Sequence, residues 1–253
     1  MPDNELVKKD QQALVNQPDV PMGFEDGDDQ NMIIPRVKVI QSLSPERKDK
    51  IADEGDIINS LTKDKLNGQV FIPVFTFNNC ILWKDRADGG GISCIARDGK
   101  RAETTDGQKL ICASCKKCEF DNSKQGKDSF PKCTKYINFF GFFAGTQIPI
   151  ILSFAKTNYN EGKRLYSLSK VTMQNMFNHK YRLDAKKMNK NGNEWYIIDV
   201  TPSGVSTEDE RTYAIALYHM FFSRKTTLDF DVEQGQQAEE TGPSQQDVDS
   251  AEM

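Results

Sequence analysis

Apolar and polar positions alternate along much of the middle of this chain. Residues 33–41, Ile-Ile-Pro-Arg-Val-Lys-Val-Ile-Gln, alternate apolar and basic after the proline, which predicts a strand with Arg36 and Lys38 on one face. Ser42-Leu-Ser-Pro-Glu-Arg predicts a turn and a short helical stretch, and Gly55-Asp-Ile-Ile-Asn-Ser a turn-bounded apolar piece. Gln69 to Phe77 is a strong strand, with Val70, Ile72 and Val74 on one face and Phe71, Phe75 and Phe77 on the other. Pro73 within it marks an edge or a bulge, because proline has no N–H for the ladder. Ile81-Leu-Trp83-Lys84 continues as strand until Gly89-Gly90-Gly91 breaks it.

Further on, Tyr136–Phe143 and Ile148–Phe154 predict a hairpin of buried strands around a glycine-containing turn. Leu165, Leu168, Thr172 and Met176 recur at helical spacing, which predicts a helix over 163–178. Tyr181–Met188 and Glu194–Thr201 flank Asn191-Gly192, a hairpin signal because both turn positions need positive φ. Ser206-Thr-Glu-Asp209 predicts a capping box, opening a helix with Ala214, Leu217, Tyr218 and Phe221 on one face and an end near Arg224-Lys225. The chain has no internal repeat. Short strands, one or two helices and a cysteine-rich insertion predict a mainly β (α+β) fold, an OB-like barrel with a zinc ribbon inserted at about 90–135.

Charge changes this picture. The 253 residues carry a net −4, which alone argues against a nucleic-acid partner. However, residues 1–30 hold −6 and residues 229–253 hold −8, so the part between them carries +10. The ends are poor in large apolar residues, so 1–31 and 229–253 are expected to be disordered acidic segments around a domain at 32–228. Basic side chains lie near aromatic strands: Arg36, Lys38, Lys84, Arg86 and Lys135 beside Phe75, Phe77, Trp83, Tyr136 and Phe140. A single-strand binder needs such a pairing, cations for phosphates and ring faces for bases. These ten positions are the candidate nucleic-acid contacts, although about two-thirds of the strand rings should go to the core, since alternation leaves at most one face per strand for a ligand. Trp83 is the first ring to test, and Trp195 is expected in the core.

Five of the six cysteines fall between Cys94 and Cys133. Taken as Cys94, Cys112, Cys115 and Cys133, they read C-x17-C-x2-C-x17-C. The C-x2-C pair can present two thiolates to one tetrahedral ion, with the long arms supplying the others, and Zn2+ in a closed structural site is the expected occupant. Cys118 forms a second C-x2-C with Cys115 and could replace Cys112. Cys80, in the run Asn-Cys-Ile-Leu-Trp, reads as a small buried hydrophobe.

Several chemistries find no support. The chain lacks a G-x-x-x-x-G-K-[ST] loop, neither His179 nor His219 has the setting of a catalytic base, and the carboxylates are scattered, so no enzyme is expected. No apolar run is long enough to cross a membrane, and Met-Pro-Asp-Asn-Glu lacks the features of a signal peptide, so the expected location is the cytoplasm. A reducing compartment also favours metal over disulfide.

Pro35-Arg36-Val-Lys-Val-Ile-Gln-Ser-Leu-Ser, the Gly55-Asp56-Ile segment, Cys94 followed by Asp98-Gly99, Cys112-x-x-Cys115 with Phe120 soon after, and Pro131-Lys-Cys133 together resemble a family of bacteriophage and prophage proteins over about residues 33–225. That pattern has a polar residue where this chain has Cys118, which implies Cys94, Cys112, Cys115 and Cys133 as ligands. The design is also similar to phage single-stranded DNA-binding proteins of replication. This second likeness implies single-stranded DNA as partner, with replication or recombination proteins recruited through the acidic tail in the host cytoplasm. The competing expectation is a zinc-ribbon module that binds a replication or transcription protein.

Overall fold

The computed structural model describes residues 33–85, 90–115, 117, 119, 131–190 and 192–225. The expectations for residues 1–31 and 229–253, and for Arg86 and Cys118, lie outside the described residues.

The sheet is organised on β3 (Val70–Trp83), where apolar and aromatic residues run almost unbroken. One edge of β3 pairs antiparallel with β7 (Cys133–Phe143) from Phe71 to Leu82. Its other edge is divided. The start pairs with β9 (His179–Lys190), and the end, from Cys80 to Trp83, pairs with β4 (Ile92–Ala96). β8 (Pro149–Ala155) extends the sheet beyond β7, and β10 (Asn193–Val205) extends it beyond β9. Outward from β4 lie β5 (Arg101–Thr104) and β6 (Lys109–Ile111). β1 (Val37–Val39) and β2 (Ile57–Asn59) form a small ladder of their own.

Segment 35–41 ties the two outer strands of the main sheet. Ile151 on β8 donates its N–H to the Pro35 carbonyl (2.9 Å). At the other end the Gln41 side chain acts as a substitute backbone. It accepts from the Tyr196 N–H (2.9 Å) and donates to the Tyr196 carbonyl (2.8 Å) on β10. The mainly β class is as expected. The barrel is met only this far, because among the described residues no continuous ladder closes β8 on β10.

Both faces of the main sheet are buried. One face packs Phe71, Phe139, Phe143, Leu152, Phe154, Leu183 and Val200 against Leu165 of α3, a helix spanning Tyr159–Val171. Gly162 lets that helix approach, since a Cβ there would stand 2.7 Å from Phe154 Cβ. The other face packs Ile72, Val74, Phe75, Phe77, Phe140 and Phe142 against Ala214, Leu217 and Phe221 of α4 (Glu208–Phe221). Each fully buried ring or branched aliphatic contributes roughly 1.5–3 kcal/mol.

The expected facing of β3 fails at one place. The register shifts between Pro73 and Phe75, a bulge at the proline. Beyond it, Phe75 and Phe77 join Ile72 and Val74 on the α4 face, opposite Phe71. Gly141, the partner of Pro73, stands where a Cβ would meet the Ile72 carbonyl and the Phe71 ring.

The two predicted hairpins form, β7–β8 and β9–β10. The capping box forms one residue later than expected. Thr207 accepts from the Glu210 N–H, and Glu210 accepts from the Thr207 N–H, which sets the start of α4. The expected helix over 163–178 is shorter and starts earlier. It ends at Val171 because Met173 takes positive φ (52°), and Met176–Asn178 follow as a separate 3-10 turn. The turn after Ser44 becomes α1, Pro45–Lys48.

Candidate functional site

A cleft of about 100 Å³ opens where segment 35–41, the end of β8 and the start of β10 meet. Its walls include Arg36, Lys38, Tyr136, Lys156, Trp195 and Tyr196. Arg36 is buried and donates from Nη2 to Ser153 Oγ (2.8 Å). Ser153 Oγ donates to Asn138 Oδ1 (2.8 Å), and Asn138 Nδ2 donates to Asn79 Oδ1 (2.8 Å). This buried polar chain fixes the guanidinium at the cleft wall.

Lys38 is buried and donates to both Glu46 oxygens (3.1 and 2.9 Å), and Lys63 reaches the same carboxylate at 3.2 Å. Burial pushes the Glu46 carboxyl up, but hydrogen bonds from Lys38 and Lys63 and the charge of Lys38 outweigh it. The group sits below the usual carboxylate range.

The other wall is aromatic. Tyr196 is seated by Gly55, where a Cβ would stand 2.7 Å from Tyr196 Cε1 and where φ is +85°. Trp195 is half-buried, and its indole Nε1, out of contact with solvent, has no hydrogen-bond partner among the described residues. A buried donor left unpaired costs about 1–3 kcal/mol. Lys156 is exposed and holds φ +47°, a strained backbone for a non-glycine residue, at the junction of β8 and α3.

The thiols gather elsewhere, on the extension of the sheet. Leu82 on β3 pairs with Cys94 on one side and with Cys133 on the other, so strand register brings two thiols beside one residue. The C-x2-C segment forms a single helical turn, α2 (Cys112–Cys115), whose spacing of three places both side chains on one flank. Cys94, Cys112, Cys115 and Cys133 line one cavity of about 50 Å³, with Ala96, Ala102 and Leu110. Cys80 lines it too, so it is not a remote core residue. Two places before Leu82 on the same strand, it shares that residue's face, a signal the strand period could have given. A set of thiols suits a soft, tetrahedral ion. Among the described residues, however, no three His, Cys, Asp or Glu side chains are disposed to hold one metal ion.

The ten expected nucleic-acid contacts separate into groups. Arg36, Lys38 and Tyr136 come together at the cleft, although all three are largely buried. Phe75, Phe77 and Phe140 belong to the core instead. The rings of Phe75 and Phe140 stack at 4.8 Å, and α4 covers them with Phe221 5.0 Å from Phe140. No face of these rings is left for a base. Trp83 is half-buried in a small cluster with Ile81, Tyr136, Ile92 and Ile95. Lys84 is half-buried and its backbone N–H donates to the Gly91 carbonyl (2.8 Å). Lys135 is exposed on β7 opposite Cys80. Trp195, expected in the core, is the tryptophan of the cleft.

The sequence matches the family model described as Pam3 phage gp34-like protein over residues 7–227. The chain belongs to that family. This supports the resemblance to phage proteins noted on residues 33–225. No curated protein and no solved structure matches the chain. Among the described residues, no helix is long and apolar enough to cross a membrane.

Proposed function

We propose that this phage protein binds single-stranded DNA at the cleft between segment 35–41 and β10, without catalysis, in phage DNA replication or recombination in the host cytoplasm. The observation that carries this reading is the meeting of buried Arg36 and Lys38, exposed Lys156 and the Tyr136, Trp195 and Tyr196 rings in one opening. Lys156, exposed at the rim, would meet a phosphate, and the Trp195 indole N–H, without a partner among the described residues, would gain an acceptor. A cleft of about 100 Å³ takes a single base or phosphate and not a paired duplex. The +10 of residues 31–228 favours the encounter, and the acidic segment 229–253 would compete for the same surface and recruit partner proteins. In the same reading, Zn2+ held by Cys94, Cys112, Cys115 and Cys133 orders the thiol-lined extension.

The test is tryptophan fluorescence during titration with an oligonucleotide at low salt. Quenching is expected, surviving in Trp83→Phe and lost in Trp195→Phe, with affinity falling steeply as salt rises. Absence of binding at low salt, or equal binding of duplex, overturns the reading. One observation favours the interaction-module alternative. Edge strand β6 exposes Leu110 and Ile111, the latter at 63 %, and among the described residues it pairs with β5 on one side only. A partner strand could add there. A protein that ignores oligonucleotides leaves this alternative standing.

A further inference from the structure

Helix α3 buries one face and keeps an unusual one outside. Leu165 and Ser169 are buried against the sheet. On the solvent side of the helix Lys163, Tyr166 and Lys170 follow at steps of three and four residues, while Tyr159, one step before them, is half-buried against the core. Such steps keep Lys163, Tyr166 and Lys170 on one flank of the helix. Over residues 163–170 the stripe runs for ~10 Å at 1.5 Å per residue.

The lysines and rings are already associated. Lys163 Nζ lies 5.1 Å from the centroid of the Tyr159 ring, and Lys170 Nζ lies 5.4 Å from that of Tyr166. Neither lysine has a carboxylate partner among the described residues. The acidic contacts of this helix belong to Arg164, which meets Glu161 and Asp199 at 3.1 Å. Tyr166 is 38 % exposed, and its hydroxyl accepts from Lys170 Nζ at 3.3 Å. Lys156, in the 3-10 turn just before the helix, is a wall of the cleft. The stripe therefore follows the cleft along the chain, and its chemistry is the same, cations beside rings.

We infer that the 163–170 flank of α3 is the track along which a bound single strand continues out of the cleft past Lys156. Lys163 and Lys170 meet phosphates, and Tyr166 stacks a base. This rests on the single-strand reading above and adds Lys163, Tyr166 and Lys170 to it, residues that neither the strand pattern nor the cleft indicates.

The experiment compares a long oligonucleotide of about 20 nucleotides with a dinucleotide, short enough to stay in the cleft. The proteins are the wild type, the double variant Lys163→Ala/Lys170→Ala, and Tyr166→Ala. Alanine at these exposed sites keeps the helix, and circular dichroism confirms that it does. For the long strand, the double variant should lose about 1.4 from the slope of log affinity against log salt, at ~0.7 per phosphate. Tyr166→Ala should bind it about tenfold more weakly. The short strand should bind all three proteins alike. Unchanged slope and affinity for the long strand, in a protein whose wild type binds, overturn the track while leaving the cleft reading intact. An equal loss for the short strand also overturns it, because the lysines would then act on the cleft. If the wild type binds neither strand, the single-strand reading fails first and the track falls with it.

Discussion

At its start β3 lies between two layers of large rings, and at its end one face meets a cluster of small side chains and thiols. Around Phe71 and Phe75 the fully buried residues include Phe139, Phe140, Phe142 and Phe154. Around Cys80 the buried cluster is Cys80, Ala96, Ala102, Cys112 and Cys133. The first region removes many rings and branched aliphatics from water. The second removes little apolar surface from water, and every residue of its outer strand β6 is exposed. Two parts of one sheet, sharing one strand, are held by different means.

The largest expected effect attacks the ring-packed half. Phe140 is fully buried, stacked on Phe75 and touching Phe221 of α4. Phe140→Ala should cost about 3–5 kcal/mol of global stability, read as a fall in the urea midpoint. A cost under about 1 kcal/mol would show that the sheet is not held by its rings, and the contrast would collapse.

The next effect is local. Reduced protein should contain one zinc per chain, and chelation should remove hydrogen-exchange protection from β4, β5 and the start of β7. Amides of Phe139 to Phe143 should keep theirs. Cys115→Ser should act like chelation, whereas Cys118→Ser should be mild. Metal analysis without zinc sinks the ion. Loss of protection throughout the sheet would mean that the two regions are one unit after all.

Much of this contrast was legible in the chain. Alternation and Asn191-Gly192 marked the hairpins, the cysteine spacing marked the extension, and Thr207 lies inside the predicted cap. What escaped depended on contacts between distant segments. Pro73 signalled a bulge, but only the register of β7 shows that the bulge turns Phe75 and Phe77 onto α4. Arg36 and Lys38 alternate as solvent-facing cations would. Their burial follows from Ser153 and Glu46, partners that no local period reveals. Trp195 looked like core, yet it stands near the hairpin turn beside the cleft. Sequence period gives the face of a strand. Whether another layer covers that face is decided by tertiary order.

The smallest expected effect concerns the residue that both regions share. Cys80 is buried, pairs across the ladders with Ala96 on β4 and Lys135 on β7, and lines the thiol cavity. It can belong to either half of the comparison. As packing, its sulfur fills space among alanines, and Cys80→Ala removes one buried heavy atom with partial collapse around it. That should cost about 1 kcal/mol by urea unfolding and leave zinc content unchanged. As a ligand, its removal should lower zinc content and uncouple the extension in the way that Cys115→Ser does. The spacing of Cys94, Cys112, Cys115 and Cys133 already supplies four sulfurs, the full set of a closed tetrahedral site. The packing outcome is therefore expected, with Cys80 as the last residue of the apolar core rather than the first of the metal site. Zinc loss in Cys80→Ala together with zinc retention in Cys115→Ser would reverse that assignment and move the ion toward β3.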